Sequence, residues 1–335
     1  AKPMKERRLA MINLFNYEPS LKRDLSMGLI LLAVPIFILS IGTMFYQSRY
    51  MIHNEVKSSN SNMLDKGLYQ IRSYMTTIET AVNSNAWLME ENLVPDTLKS
   101  LSERIVRLND PVVSCSVFMI PDYFKEYGSK FSVYAASQGD TVKAYIEPEY
   151  DYFNRSMFSE PVKTGKACWI DPFIEYIEGK VDHNEAVATY SRPLRQKNGR
   201  IVGVVSADMS FSLLTKLINK TSLEYNGAFF VLLDGTGRFL IHPDTTHLFR
   251  KTIFSDAEPN KNADIISLGY EMIAGKHGNM HVSYNNKLYH VTFRPVPGNR
   301  WSLALACPDK EAMKSYYHMG YIIFAIIIVG LLIIV

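Results

Sequence analysis

The chain has 335 residues, an apolar fraction of 47% and a formal net charge of +3, which suit two or three modules with a substantial core. The near balance of charge excludes a large basic surface for nucleic acid, and the sequence has no glycine-rich phosphate loop and no paired zinc cysteines. Three cysteines cannot form a fully paired disulfide framework. We expect Cys115, Cys168 and Cys307 to be buried small side chains, with a Cys115–Cys168 bridge as the minority alternative.

Two apolar runs predict a membrane protein with both ends in the cytoplasm. Residues 1–26 are polar and basic, and residues 27–46 contain no charge over a length that spans the hydrocarbon core. The basic flank places the N-terminus in the cytoplasm. A second apolar run, residues 318–335, predicts another span, which leaves residues 47–317 outside the inner membrane. Because the chain stops at the membrane, we expect a cytoplasmic output domain beyond it.

Residues 47–90 are predicted to form one long stalk helix that continues from the first span. Apolar residues recur at alternating spacings of four and three, which is the pattern of a coiled-coil seam: Leu64, Leu68, Ile71, Met75, Ile78 and Val82. The same stripe suits a helix that lies on its own sheet. A parallel dimer seam and internal packing are both open, and both can hold at different heights.

The pattern changes to strands after a predicted helix at residues 95–108. Strands rich in Val, Ile, Phe and Tyr are predicted at 112–120, 131–136, 166–173, 186–192 and 200–208. Residues 211–225 are predicted to form a linking helix.

A second, smaller set of elements follows. Strands at 228–233 and 238–242 flank an Asp-Gly-Thr-Gly hairpin signal, and strands at 280–284 and 288–294 flank Asn285-Asn286. A helix at 264–274 and a strand at 301–307 complete the set. Each set has about five strands around helices, so the sequence predicts two related α+β modules in tandem.

Four segments in this order resemble the double Cache sensor domain of bacterial receptors. They are FNRSMFSEPVKTGKACWIDPFIEYIEGK, KNGRIVGVVSADMS, AFFVLLDGTGRFLIHPD and NRWSLALACPDKEA. The resemblance covers roughly residues 47–317. It implies an α+β fold with a long N-terminal helix, a PAS-like membrane-distal module at 91–225 and a smaller membrane-proximal module at 226–317.

The resemblance also implies where a ligand would bind. Family members that bind amino acids hold the carboxylate with an arginine and the following aromatics, and the ammonium with an aspartate at the end of the last distal strand. Arg155 and Asp208 match these two positions. Met157 stands where tryptophan is usual, and Phe158 and Phe173 stand where tyrosine is usual. A small carboxylate-bearing, amino-acid-like ligand is therefore expected, with a more apolar wall.

Each anchor also has a structural interpretation. Arg155 could form an ion pair with Asp151 or Glu160 instead of holding a ligand. Asp208 could cap the next helix, which begins near Ser210. The pocket wall is predicted to include Met157, Phe158 and Phe173 with further aromatics at Tyr134, Tyr150, Tyr152, Trp169 and Tyr190, although such residues more often form core.

No enzyme, cofactor or metal site is predicted. No nucleophile, base and orienting residue can be recognised together, and His277 and His281 are spaced as on a helix but lie among glycines. The leading hypothesis is an extracytoplasmic sensor that acts as a parallel homodimer and signals to a cytoplasmic output. The alternative is an interaction module with a vestigial pocket that binds a protein or glycan; an envelope enzyme has the least support.

Overall fold

A computed structural model describes residues 21–139, 141–147, 150–174, 186–221, 223–255, 257–258 and 261–334 of the chain. It has α+β architecture, with a long N-terminal helix and two antiparallel sheets, as the sequence predicts. Helix α1 (Leu21–Glu91) contains 71 residues. By contact density the chain divides into a unit of residues 57–312 and a unit formed by residues 1–56 and 313–335.

The first sheet belongs to the segment that the sequence assigns to the distal module. Helix α2 (Pro95–Arg107) leads to β1 (Val112–Met119), β2 (Ser132–Gln138) and β3 (Thr141–Ile146). Helix α3 (Ser156–Thr164), β4 (Cys168–Ile174), β5 (Ala186–Arg195), β6 (Ile201–Ser210) and α4 (Phe211–Asn219) follow. The strand order is β3-β2-β1-β6-β5-β4, so β1 and β6 form the centre.

The second sheet contains five strands and one covering helix. Strands β7 (Phe229–Leu233) and β8 (Phe239–Ile241) precede α5 (Ala263–Ile273). They are followed by β9 (Gly278–Tyr284), β10 (Lys287–Pro295) and β11 (Ser302–Pro308), and then by α6 (Asp309–Ala312) and α7 (Lys314–Ile334). The order is β8-β7-β11-β10-β9.

Both predicted hairpins are confirmed. Strand β7 pairs with β8, and Leu233 lies opposite Phe239. Strand β9 pairs with β10 across Asn285 and Asn286, which have φ values of 50° and 59°. Two consecutive left-handed residues are the requirement of a type I′ turn, and asparagine tolerates that conformation well.

The apolar stripe of α1 packs inside the chain. Leu64, Ile71, Met75, Ile78 and Val82 are fully buried in a core that includes residues of both sheets. Gly67 allows a close approach, because a Cβ atom there would lie 3.1 Å from Phe230 and 3.2 Å from Leu303. Of the two interpretations of the stripe, the structure shows the helix lying on its own sheets, which leaves the opposite face of α1 exposed.

The unit formed by residues 1–56 and 313–335 contains the apolar helical segments. Among the described residues, one helix is long and apolar enough to cross a membrane by length and composition, and it lies near the N-terminus. Helix α7 is apolar over Lys314–Gly330, which is shorter. The two segments touch each other: the ring centroids of Phe45 and Tyr316 are 4.6 Å apart, and the Ser48 hydroxyl donates to Met319 Sδ at 3.7 Å.

Strand β3 and the three cysteines complete the comparison of the fold with the sequence predictions. Strand β3 was not predicted, and it makes the first sheet six-stranded. All three cysteines are free. The burial of Cys115 and Cys307 agrees with their interpretation as small core residues, whereas Cys168 is half-buried and lines the cleft described below. Burial raises the pKa of the Cys115 thiol, so this side chain stays protonated.

Candidate functional site

The face of the distal sheet that points away from α1 carries a row of small hydroxyl side chains. Cross-strand pairing places Ser116 of β1, Ser206 of β6 and Ser191 of β5 side by side, and all three are buried. The hydroxyls of Ser191 and Ser206 lie 2.8 Å apart. Tyr134 of β2 pairs with Ser116 and therefore belongs to the same face. This face is unusually polar for the buried face of a sheet.

Asp208 continues the row at its end. It lies opposite Ser114 on one side and Thr189 on the other. Its carboxylate accepts hydrogen bonds from the Ser114 hydroxyl at 2.5 Å and from the Thr189 hydroxyl at 2.6 Å. The cap of α4 is Ser210, whose hydroxyl accepts from the Leu213 amide at 3.1 Å. Asp208 is thus a half-buried carboxylate held by neighbouring strands rather than a helix cap.

An aromatic layer covers part of this face. Phe118 and Val204 of the sheet pack against Tyr152, Met157 and Phe158. The Tyr152 hydroxyl donates to the carbonyl oxygen of Met119 at 2.6 Å and accepts from the Phe131 amide at 3.2 Å. Burial raises the pKa of Tyr152, so its hydroxyl remains a donor. Tyr152 therefore fixes the segment before α3 to the sheet, and Met157 and Phe158 are part of a packed cover.

Arg155 lies at the edge of this cover, at the N-cap position of α3. Its side chain lines a cleft of about 670 Å³ between the two modules. The charged, polar and aromatic residues of the cleft come from both modules: Arg155, Ser156, Glu160, Trp169, Asp171, Asn299, Arg300 and Trp301. Asp151, which the sequence offered as an ion-pair partner of Arg155, instead pairs with Lys130: its Oδ1 atom lies 3.3 Å from Lys130 Nζ. Within the described part of the chain, the Arg155 guanidinium has no hydrogen-bond or ion-pair partner.

Trp169 and Tyr190 belong to the opposite face of the distal sheet. They pair across β4 and β5, one position from Thr189 and Asp208, so their side chains point toward α1. The Trp169 indole donates to Glu79 at 2.8 Å, and the Tyr190 hydroxyl accepts from the Asn83 amide at 3.3 Å. Both rings therefore tie the sheet to the long helix, while Trp169 also lines the cleft.

The structure brings together only some of the predicted site residues. Arg155, Met157 and Trp169 line the cleft, whereas Asp208 does not. Tyr134 and Asp208 share the polar face of the sheet, and Phe158 lies in its cover. Phe173 lies on β4 with its backbone opposite Val187, and its side chain is outside the part that the structure describes. The sequence did not indicate the residues of the second module that complete the cleft.

A second cavity of about 320 Å³ lies in the proximal module beneath α5. Its floor includes Ala304 and Ala306 of the central strand β11, whose small side chains leave space under the helix. Most of its wall is apolar or aromatic: Phe229, Val231, Phe239, Ile253, Ile265, Leu268, Met272, Val282 and Val291. His242, Asp244 and His247 provide a polar corner.

The pKa values of His242, in this cavity, and of Asp234, in the turn between β7 and β8, are both lowered. Burial lowers the pKa of His242, which favours the neutral ring. In this form its Nδ1 atom accepts a hydrogen bond from the Asp244 amide at 3.0 Å. Burial disfavours the charged form of Asp234, but hydrogen bonds from Thr236 and Arg238 outweigh this effect and lower its pKa. Arg238 also donates to the Pro172 carbonyl at 2.9 Å, which links the proximal turn to β4.

Comparisons with known proteins agree with this architecture. The sequence model of the double Cache family, described as "Cache domain", matches residues 48–316. The chemotaxis receptor PctB of Pseudomonas aeruginosa is 27% identical over 262 residues, which is 75% of this chain and 37% of that receptor. This chain therefore aligns with little more than a third of the receptor's length.

Solved structures show the same fold. The periplasmic sensory domain of the Campylobacter jejuni chemoreceptor Tlp1 has a TM-score of 0.60 at 17% identity, covering 78% of this chain and 96% of that domain. The ligand-binding domain of PctB in complex with L-Gln has a TM-score of 0.53 at 20% identity, covering 76% of this chain and 91% of that domain.

Proposed function

Because the chain belongs to the double Cache family of sensor domains, we propose that it is the extracytoplasmic ligand-sensing region of a two-pass membrane receptor. Its distal module would bind a small molecule that carries a carboxylate. One similar protein, PctB, has been solved with an amino acid bound. The observation that carries the proposal for this chain is the exposed Arg155 side chain, which lines a large cleft and has no hydrogen-bond or ion-pair partner for its guanidinium among the described residues.

The chemistry of Arg155 suits a carboxylate. A guanidinium presents parallel N–H donors that match the two oxygens of a carboxylate, and it stays charged at any physiological pH. Arg155 also stands at the N-terminus of α3, where the helix dipole favours a negative charge. Trp169 and Trp301 supply flat apolar walls in the same cleft. A small anion with an apolar body would satisfy both features.

The group that would hold a ligand ammonium has two candidates. The family resemblance assigns it to Asp208, which already accepts from Ser114 and Thr189. The cleft itself offers Asp171, which is exposed and lines the same space as Arg155. We propose Asp208 as the cation-binding carboxylate, with Asp171 as the alternative that the cleft geometry favours.

The test begins with a thermal-shift screen of the full chain in detergent against amino acids, organic acids and amines. Calorimetry with a compound found in this way then compares wild type with Arg155→Ala, Asp208→Asn and Asp171→Asn. Removing a charge-assisted contact to a buried partner costs about 2–5 kcal/mol, so we expect Arg155→Ala to weaken binding at least tenfold.

Arg250→Ala is the control, because Arg250 is exposed in the proximal module and lines neither cavity. Unchanged affinity in Arg155→Ala, with the fold intact, would rule out the distal site. Loss of affinity in Asp171→Asn but not in Asp208→Asn would move the ammonium site to the cleft.

The alternative function, an interaction module with a vestigial pocket, also has support. Asp208 is already held by neighbouring hydroxyls, and Met157 and Phe158 fill the cover of the sheet. A screen that finds no small-molecule ligand in any of the three classes would favour a protein or glycan partner for this module.

We also propose that two spans hold both termini in the cytoplasm. The support is the apolar N-terminal part of α1, the apolar helix α7 and the basic residues before the first run. Membrane-impermeant thiol labelling should modify a cysteine placed at Asn198 and spare one placed at Lys5. The opposite labelling pattern would reverse the topology. The signal would then pass through these helices to a cytoplasmic output domain.

We also propose a parallel homodimer through α1. Its contact surface would be the exposed face of α1 and not the buried apolar stripe. The stripe is internal, but Tyr69 and Trp87 are 76% and 57% exposed. They are 18 residues apart, which is five helical turns, so they lie on one outward face. Analytical ultracentrifugation of the membrane-anchored chain should give a dimer, and Tyr69→Glu with Trp87→Glu should weaken it. A monomeric wild type would exclude this arrangement.

A further inference from the structure

The β9–β10 hairpin brings two histidines together on one face. His281 and His290 are direct cross-strand partners, and their ring centroids are 4.2 Å apart. Directly paired residues on adjacent antiparallel strands point to the same side of a sheet. In the sequence, His277 and His281 have helical spacing but lie among glycines, so no paired site is predicted there. The hairpin instead pairs His281 with a residue nine positions later.

A carboxylate reaches the same point from a third segment. Asp309 is the first residue of α6, directly after β11, and its Oδ1 atom lies 2.7 Å from His290 Nε2. The side chains of His290 and Asp309 are only 12% and 21% exposed, whereas His281 is exposed. One potential ligand atom from each of the three residues lies within 4.8 Å of the other two. Two ring nitrogens and one carboxylate oxygen therefore converge.

We propose that His281, His290 and Asp309 form a binding site for a transition-metal dication of the Zn²⁺ class. Two imidazoles and one carboxylate are a known zinc ligand set that leaves a fourth position for water. Calcium and magnesium prefer sites built only from oxygen, so two nitrogen donors disfavour them. The ligands of a tetrahedral zinc ion are roughly 3.4 Å apart, since each bond is about 2.0–2.2 Å long.

Only a small rearrangement separates the structure from that geometry. His290 and Asp309 are already closer than the ligands of a zinc ion need to be, and the exposed His281 ring has its centroid 4.2 Å from that of His290. A bound ion would connect the hairpin, through His281 and His290, to the chain segment that enters α6. The competing interpretation is a simple His290–Asp309 ion pair, which gives no role to His281. His281 is therefore the residue that separates the two interpretations.

The test uses the full chain in detergent, without an affinity tag and stripped of metal. Calorimetry with ZnCl₂ should show one site per chain in the wild type, and MgCl₂ should show none. We expect His281→Ala and His290→Ala each to weaken zinc binding at least tenfold, with Asp309→Asn acting in the same direction. His277→Ala is the matched control, because this exposed histidine lies outside the cluster, and it should bind as wild type does.

Thermal unfolding gives a second readout. Zinc should raise the unfolding temperature of the wild type and of His277→Ala, and should not raise that of His281→Ala. Because His281 is exposed, its replacement should leave the metal-free unfolding temperature unchanged, which separates metal binding from folding. Zinc binding of equal strength in the wild type and His281→Ala, or none in the wild type, would reduce the cluster to an ion pair and overturn the proposal.

Discussion

The two sheets of residues 57–312 use the face opposite α1 in different ways. In the distal sheet this face carries buried serines, Asp208 and a packed aromatic cover. In the proximal sheet the same face carries Ala304 and Ala306 beneath α5, and a cavity of about 320 Å³ remains. One architecture thus gives a polar, covered surface in one module and an apolar cavity in the other.

This difference shows that the fold alone does not determine where a cavity lies. Large side chains from the segment before α3 fill the space over the distal sheet, and Asp208 uses hydroxyls of its own sheet as partners. In the proximal module, small side chains at the centre of the sheet leave the corresponding space open. The open space next to the distal module lies instead at its edge, in the cleft with Arg155.

Replacement of Trp301 has the largest expected effect, and it tests whether the two modules share one core. Trp301 directly precedes β11 and is 1% exposed. Its ring packs near those of Trp169 and Phe211 of the distal module. Trp301→Ala should lower the free energy of unfolding by about 3–5 kcal/mol. Tyr270→Ala, at a position that is 65% exposed, should cost less than about 1 kcal/mol.

Urea unfolding followed by circular dichroism measures both variants of this pair. Hydrogen exchange should show that Trp301→Ala lowers protection in β1 as well as in β11. Loss confined to β11 would mean that the modules unfold independently.

An alanine pair tests the cavity itself. Ala306→Leu adds its side chain to the open space under α5, so its free energy of unfolding should stay within about 0.5 kcal/mol of wild type or rise. Ala207→Leu adds the same atoms to a fully buried position on the side of the distal sheet that faces α1, where overpacking should cost about 1–3 kcal/mol. Equal costs in urea unfolding would contradict the presence of open space under α5.

The smallest expected effect is a pH dependence that belongs to the proximal module. Burial lowers the pKa of His242 below its ordinary value of about 6.5, so the unfolded chain takes up a proton more readily than the folded one. The contribution of His242 to stability is therefore full above pH 6.5 and is lost as the pH falls through the folded pKa.

Unfolding temperatures measured between pH 7.5 and 5.5 check this dependence. The decrease on acidification should be smaller in His242→Gln than in wild type, and His277→Gln should leave it unchanged. A decrease of the same size in His242→Gln would assign the effect to another group.

Sequence patterns anticipated most elements because their signals are local. The two-residue turn at Asn285-Asn286 fixes the register of its hairpin, and that register pairs residues whose numbers sum to 571. His281 and His290 could have been identified as neighbours from this rule alone. Strand β3 was missed although Thr141 and Lys143 alternate with less polar residues, which is the pattern of an edge strand.

The candidate site was less predictable because its geometry is not local. Whether Tyr190 faces a ligand or α1 depends on the register of β5, and a shift of one residue reverses the answer. Spacing alone also gave no sign that Asn299, Arg300 and Trp301 complete the cleft around Arg155, since about 145 residues separate them from it along the chain. The identity of the anchors came from resemblance, and their surroundings came from the structure.

Arg238 gives the distal and proximal modules a shared set of hydrogen bonds. Its guanidinium binds Asp234 within the proximal turn and the Pro172 carbonyl of β4, next to Asp171 in the cleft. Thermodynamic linkage requires that such coupling be reciprocal. A ligand that displaces β4 at Pro172 would change the proton affinity of Asp234. Protonation of Asp234 would in turn change the affinity for that ligand by the same factor.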